Sequence, residues 1–272
     1  MKEIQFIEVG NYKIAFEECR IENPRASILM VHGMGEHCWR YDHVVKVFND
    51  LGLDVIRFDL PGHGRSSGKR GSIKRYDEVL DCVSHFLKVL DSWGKPKFLF
   101  GHSMGGNIVL GTLLFRKPDL KGAIVASPWV ALSFKPGFLK SFLATMASKI
   151  VPNLVRKNQI DLNSISKDEE VVRAYADDDL IHDHISPRLF VEMSRVATLI
   201  QLRAQRTVMP SLLYHGTEDQ ITAFWATKLI AGKMKNARFV RFESGFHEMH
   251  NEPNKEEVFA AIGQFIEERL SA

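Results

Sequence analysis

The 272-residue sequence predicts an α/β fold, a mostly parallel sheet with helices on both faces and a helical block inserted late in the chain. Three observations carry this. Short apolar runs such as 28–31 and 97–100 are bounded by Gly and Pro and alternate with helical patterns, as strands buried on both faces do. The stretch 76–93 puts Tyr76, Val79, Leu80, Val83, Phe86, Leu87 and Leu90 on one arc of a 3.6-residue wheel, so it is a helix lying on a sheet. At 98–106, FLFGHSMGG joins an apolar run directly to a helical one through a glycine-flanked serine.

In chain order, 4–9 and 12–20 alternate around Gly10-Asn11 and predict an antiparallel hairpin. The strand at 28–31 runs into the glycine-punctuated HGMGEH, followed by a helix at 41–51 and a strand at 54–58. DLPGHGRSSG (59–68) is a long turn before the 76–93 helix. After 97–100 comes a mostly buried helix at 104–116, stopped before Pro118, then a strand at 122–126. The segment 133–207 breaks the rhythm, with several helical patterns and no strand. Core strands resume at 211–214 and 237–242, separated by a helix at 223–234 and followed by one at 254–269. The expected organisation is a core of 1–132 and 208–272 with a helical insertion, 133–207, over the carboxyl ends of the strands, where open parallel sheets bind ligands.

Gly101-His102-Ser103-Met104-Gly105 fits the Gly-x-Ser-x-Gly elbow, in which a sharp strand-to-helix turn pushes a serine hydroxyl out at the sheet edge. A serine needs a base to take its proton and a third group to orient that base. On this scaffold the partners follow in the order serine, acid, histidine. Of the eleven histidines, His247 lies just past the last strand and is the expected base, with His250 in reserve. His32, His37 and His63 precede the serine and are read as loop structure. Asp219, a few residues past the 211–214 strand, is the expected acid; capping the next helix is its alternative role. Glu218 beside it points elsewhere. Backbone N–H groups of Met104 and of Met34, in the loop after the third strand, are the expected oxyanion donors.

Composition excludes several classes. A formal charge of +3 with scattered Lys and Arg argues against nucleic acid as a partner. The first ten residues show no secretory pattern, and no apolar run is long enough to span a bilayer. The cysteines, Cys19, Cys38 and Cys82, are isolated, odd in number and without metal-ligand spacing, which predicts free thiols in a reducing, cytoplasmic setting and no metal. No cofactor is expected.

HGMGEHCWRY (32–41), GHGRSSG (62–68), GHSMGG (101–106), HGTED (215–219) and ESGFHEMH (243–250) together resemble the monoacylglycerol lipase and lysophospholipase family of α/β-hydrolase-fold serine hydrolases. The similarity spans nearly the whole chain and includes PNL (152–154), Ile160-Asp161 and YADDDLI (175–181), where Asp179 stands in place of the family's proline. The resemblance implies an eight-stranded sheet with a helical cap. It implies Ser103, Asp219 and His247 as the triad, Met34 and Met104 as oxyanion donors, Glu36, Arg40 and His250 around the glycerol head, and Tyr175 beside the pocket. The implied reaction is hydrolysis of a single-chain lipid ester, most specifically monoacylglycerol; lysophospholipase and general carboxylesterase activities occur on the same branch. A peptidase or amidase is the competing enzyme, and a ligand receptor without turnover the competing class. Ser103 argues against haloalkane and epoxide chemistry, which uses a carboxylate nucleophile.

The stretch 138–150 sets Phe138, Leu139, Phe142, Leu143, Met146 and Ile150 on one side of a helix and Lys140, Ser141, Thr145 and Ser148 on the other. Two readings stand: the apolar side packs within the insertion, or it is exposed and makes transient, peripheral contact with a lipid surface.

Overall fold

The computed structural model describes residues 4–134, 137–158 and 160–272, with the backbone alone at 138–142. The chain opens with β1 (Gln5–Val9) and β2 (Tyr12–Cys19), then β3 (Ala26–Val31), α1 (Asp42–Asp50), β4 (Leu53–Phe58), α2 (Tyr76–Ser92), β5 (Lys97–His102), α3 (Met104–Phe115) and β6 (Gly122–Ala126). Next come α4 (Phe138–Ile150), β7 (Arg156–Lys157), α5 (Glu169–Ala176), β8 (His184–Ile185) and α6 (Pro187–Arg203). The chain closes with β9 (Ser211–Gly216), α7 (Phe224–Lys233), β10 (Ala237–Phe242) and α8 (Lys255–Leu270).

The main sheet has eight strands in the order β1-β2-β4-β3-β5-β6-β9-β10. The β1–β2 and β2–β4 pairs are antiparallel, and every later pair is parallel. The sheet is apolar on both faces because alternate residues of a strand point to opposite sides. Ile28, Met30, Phe98, Phe100, Leu212 and Tyr214 pack under α1 and α8, against Val44, Phe48, Val258 and Ile262. Their neighbours Leu29, Val31, Leu99, Val125 and Leu213 pack on the other face, against Val83, Phe86, Ile108 and Val109. Continuous apolar runs in the sequence are therefore central strands with two buried faces.

Between β6 and β9 the chain leaves the sheet. The expectation of no strand at 133–207 needs correction: β7 and β8 form a two-residue antiparallel ribbon, pairing Arg156 with Ile185 and Lys157 with His184. Two residues are too few to show a period of two, so no sequence pattern could reveal it. Among the described residues no helix is long and apolar enough to cross a membrane.

Candidate functional site: a serine elbow beneath an apolar cavity

Ser103 sits between the last residue of β5 and the first of α3, at φ 54° and ψ −114°. Such a backbone is strained for a residue with a side chain, by roughly 1–3 kcal/mol, and persists only where its surroundings over-determine it. Here they do. The Ser103 N–H donates to the Ala126 carbonyl (2.9 Å), and its own carbonyl accepts from Asn107 N (3.1 Å) and Trp129 N (2.9 Å). Asn107 Nδ2 donates to the Trp129 carbonyl (2.7 Å), and Tyr76 Oη donates to Asn107 Oδ1 (2.8 Å). The flanking glycines are steric requirements. A Cβ on Gly101 would lie 2.4 Å from the Gly105 carbonyl oxygen, and one on Gly105 would lie 2.1 Å from that of Val31. Met104 opens α3, so its N–H belongs to the first-turn amides that have no acceptor within the helix.

Two loops at the carboxyl ends of β9 and β10 bring Asp219 and His247 together. They are stitched by Thr217 N to the Phe242 carbonyl (2.9 Å) and Glu218 N to the Gly245 carbonyl (3.0 Å). His247 Nδ1 lies 2.7 Å from Asp219 Oδ2. That same oxygen is 2.9 Å from both the Thr222 hydroxyl and His215 Nε2, while Oδ1 accepts from the amides of Ile221 (2.7 Å) and Thr222 (2.9 Å). Burial opposes ionisation of Asp219, but the charges and hydrogen bonds of His247 and His215 hold its carboxyl far below the usual range. Burial likewise opposes the His247 imidazolium. The Asp219 carboxylate outweighs it and raises His247 above its ordinary value. Glu218 points away into an exposed ion pair with Lys167 (2.9 Å).

The loop after β3 runs alongside the serine: a Cβ on Gly33 would come within 3.3 Å of the Ser103 Cβ. His32 is satisfied structurally, its Nδ1 on the Gly33 carbonyl (2.7 Å) and its Nε2 accepting from Leu60 N (2.9 Å). Glu36 Oε1 accepts from Gly33 N (2.6 Å) and Tyr41 Oη (2.7 Å), which bends the loop and leaves Met34 facing the cavity. Arg40 Nη1 reaches Glu36 Oε2 (2.5 Å), and its fork grips Glu248 through Nη1–Oε1 and Nη2–Oε2, both 2.8 Å. The Tyr175 ring lies 4.5 Å from the Arg40 guanidinium carbon. His250 is buried and stacks on Tyr41 (centroids 4.9 Å apart). Burial, with His102 and His43 nearby, pushes its imidazole well below the ordinary value.

Ser103 and His247 open onto one cavity of about 820 Å³, within the range of small-molecule sites. Its walls are largely apolar, with Trp129, Leu132, Ile160, Ile165, Ile185 and Phe190. Its polar lining comprises Glu36, His102, Tyr175, Thr222 and Glu248 beside Ser103 and His247, with Lys157 and Asn158 from the segment between β6 and β9. Of the residues expected around a polar head, Glu36 and Tyr175 line this cavity, whereas Arg40 and His250 stand behind its wall. Glu248, His102, Thr222 and His215 were not singled out in the sequence. Glu248 had a visible signal, a carboxylate directly after His247, but not the fact that Arg40 turns toward it.

On α4, Leu143, Met146 and Ile150 are 54%, 41% and 72% exposed. Ser148, from the opposite side of the wheel, is buried, and its carbonyl accepts from Arg188 of α6 (2.8 Å). Phe138, Leu139 and Phe142 lie outside the described side chains. Val151 and Leu154, 43% and 48% exposed, continue the apolar surface past the helix end.

Residues 22–254 match the Hydrolase_4 family, described as serine aminopeptidase, S33. An uncharacterized abhydrolase domain-containing protein of Dictyostelium discoideum is 34% identical over 91% of this chain, which spans 27% of that protein's length. Phospholipase YtpA of Bacillus subtilis is 26% identical over 92% of this chain and 98% of its own. The crystal structure of Paleococcus ferrophilus monoacylglycerol lipase is 30% identical, with a TM-score of 0.84 over 95% of this chain and 98% of that one. With the serine elbow, the eight-stranded sheet and a family match over most of its length, the chain belongs to the Hydrolase_4 family of α/β-hydrolase-fold serine hydrolases.

Proposed function

We propose that this protein hydrolyses the ester bond of single-chain lipids, foremost monoacylglycerol to glycerol and fatty acid. The observation that carries the reading is the cavity: apolar walls able to take an acyl chain share one space with Ser103, His247 and a small set of polar side chains. Ser103 Oγ attacks the ester carbonyl while His247 accepts its proton. Asp219 holds the Nδ1–H tautomer and stabilises the imidazolium. The oxyanion meets the amides of Met34 and Met104, each worth on the order of 3 kcal/mol in the transition state. His247 returns the proton to the departing glycerol oxygen, and the acyl-enzyme is then hydrolysed by water activated at the same imidazole. Glu36 and Tyr175 face the head group, with Arg40 and His250 bracing them from behind.

The names of the relatives support a lipid ester, since one is a monoacylglycerol lipase and another a phospholipase. The exposure of Leu143, Met146 and Ile150 on α4 supports contact between the 133–207 cap and a lipid surface holding such substrates. A second reading, a peptidase, is favoured by the family description and by two carboxylates at the cavity end that could face a substrate ammonium. Purified protein offered 1-lauroylglycerol, 1-lauroyl-lysophosphatidylcholine, a short aryl ester and aminoacyl 4-nitroanilides decides between them. Ester turnover lost in Ser103→Ala supports the proposal. Anilide turnover alone overturns it, and labelling by a fluorophosphonate with no turnover on any substrate points to a receptor.

A further inference from the structure

We propose that Glu248 is a specificity-determining residue, selecting lipids with an uncharged polyol head and excluding those whose head carries phosphate. The proposal rests on the ester-hydrolase reading above. Glu36 and Glu248 both line the cavity at its Ser103 end, yet each is only 2% exposed. Arg40 is the cation that compensates them, and it sits behind them with its fork turned into their oxygens and its face against Tyr175. A ligand therefore meets two carboxylates and not the guanidinium. Despite burial, Arg40 holds both carboxyls below their ordinary range, so both are ionised at neutral pH.

The other polar groups nearby are engaged within the protein. His102 has its Nδ1 3.0 Å from Tyr41 Oη and 3.4 Å from Glu36 Oε1, and its Nε2 3.4 Å from the His247 carbonyl, so both nitrogens are engaged within the protein. Lys157 lines the cavity from an exposed position, with its side chain 79% accessible and paired to Asp183 (3.2 Å). Glu36 and Glu248 line the cavity and Arg40 does not, so an anion entering there meets carboxylate before guanidinium, and the repulsion is strengthened by the low local dielectric. Glycerol hydroxyls can donate to carboxylate oxygens, whereas a phosphate monoester is largely dianionic at neutral pH and brings negative charge in place of a hydroxyl donor. Between the two acids, Glu36 also bends the 33–36 loop. Glu248 contacts Arg40 and Asn251 (Nδ2–Oε2, 2.7 Å), so its charge can be removed isosterically.

The test compares kcat/KM for 1-lauroylglycerol and 1-lauroylglycerol 3-phosphate, each normalised to 4-nitrophenyl laurate, which has no polar head. We expect the wild-type protein to prefer the uncharged substrate by about 100-fold, and Glu248→Gln to narrow that ratio by about tenfold, mainly through KM of the phosphate substrate. A wild-type ratio near one, or a ratio unmoved in folded Glu248→Gln, overturns the proposal. A measurement without a variant covers the case in which Glu248→Gln does not fold. In wild-type protein, 1-O-dodecylglycerol should inhibit 4-nitrophenyl laurate hydrolysis at a concentration about tenfold or more below that of its 3-phosphate, and equal or reversed potency refutes the selection. Absence of turnover on every ester removes the ester-hydrolase reading itself, and this proposal with it, a result distinct from any change in ratio.

Discussion

Arg40 and Glu248, 208 residues apart in the chain, meet end to end, with two guanidinium nitrogens 2.8 Å from two carboxylate oxygens. Glu36 takes a further contact from the same guanidinium. Both acids are buried, so removing Arg40 leaves two carboxylates without their cation. We expect Arg40→Ala to cost about 3–5 kcal/mol of stability, read by urea denaturation. Hydrolysis of monoacylglycerol and of an aryl ester with the same acyl chain should fall together. Selective loss on monoacylglycerol with unchanged stability would instead make Arg40 a direct head-group contact.

Asp219→Asn keeps the shape but loses the charge that favours the His247 imidazolium, and it can hold the ring in the wrong tautomer. The expected loss in kcat is about 10⁴-fold, with the fold retained by circular dichroism. Glu218→Gln removes only an exposed pair with Lys167 and should stay within about twofold of wild type. A larger loss from Glu218→Gln than from Asp219→Asn would reassign the acid.

In the proposed mechanism His247 must be neutral to accept the serine proton, so kcat/KM is expected to rise with pH as the imidazolium deprotonates. Asp219 raises that pKa above its ordinary value against the effect of burial, so the acid limb should have its midpoint above about 6.5. In Asp219→Asn the raising charge is gone while burial still lowers the pKa, and the residual activity should show a midpoint shifted to lower pH. A midpoint that does not move would dissociate the limb from His247.

Leu143 is exposed on α4 with Met146 and Ile150. Leu143→Asp is therefore expected to leave thermal stability within about 0.5 kcal/mol. It should reduce hydrolysis of long-chain monoacylglycerol in vesicles several-fold and spare a soluble short-chain ester. If both activities fall together with stability, Leu143 serves packing; if nothing changes, α4 does not touch the lipid surface.

Gly105→Ala places a methyl carbon 2.1 Å from the Val31 carbonyl oxygen, a backbone atom in the centre of the sheet. Nothing flexible can yield there. We expect a loss of several kcal/mol or no soluble folded protein, whereas Gly232→Ala, open around its Cβ, should be neutral or stabilising.

What the sequence determined by itself was periodic or local. Strands buried on two faces announce themselves as short apolar runs, as in β3 and β5, and helices on the sheet as 3.6-residue stripes, as in α2. The serine elbow is a local turn whose glycines are visible in the order of residues. Asp219 and His247 were singled out by position past two strand ends, and the fold sets them 2.7 Å apart because those strands, β9 and β10, are neighbours in the sheet. The tertiary structure decided matters that depend on distant segments meeting. The ribbon of β7 with β8 exists only because 156–157 and 184–185 are brought alongside, being too short to carry a period. On α4, a wheel shows which residues share a side but not which side a neighbour covers; α6 packs against the side of Ser148 and leaves Leu143, Met146 and Ile150 in solvent. Arg40 shows the same limit most sharply. The family resemblance sets Arg40 around a glycerol head, but only the fold places Glu248 opposite it, because a charge is satisfied by whatever lies nearest in space, and spatial neighbours are set by the fold.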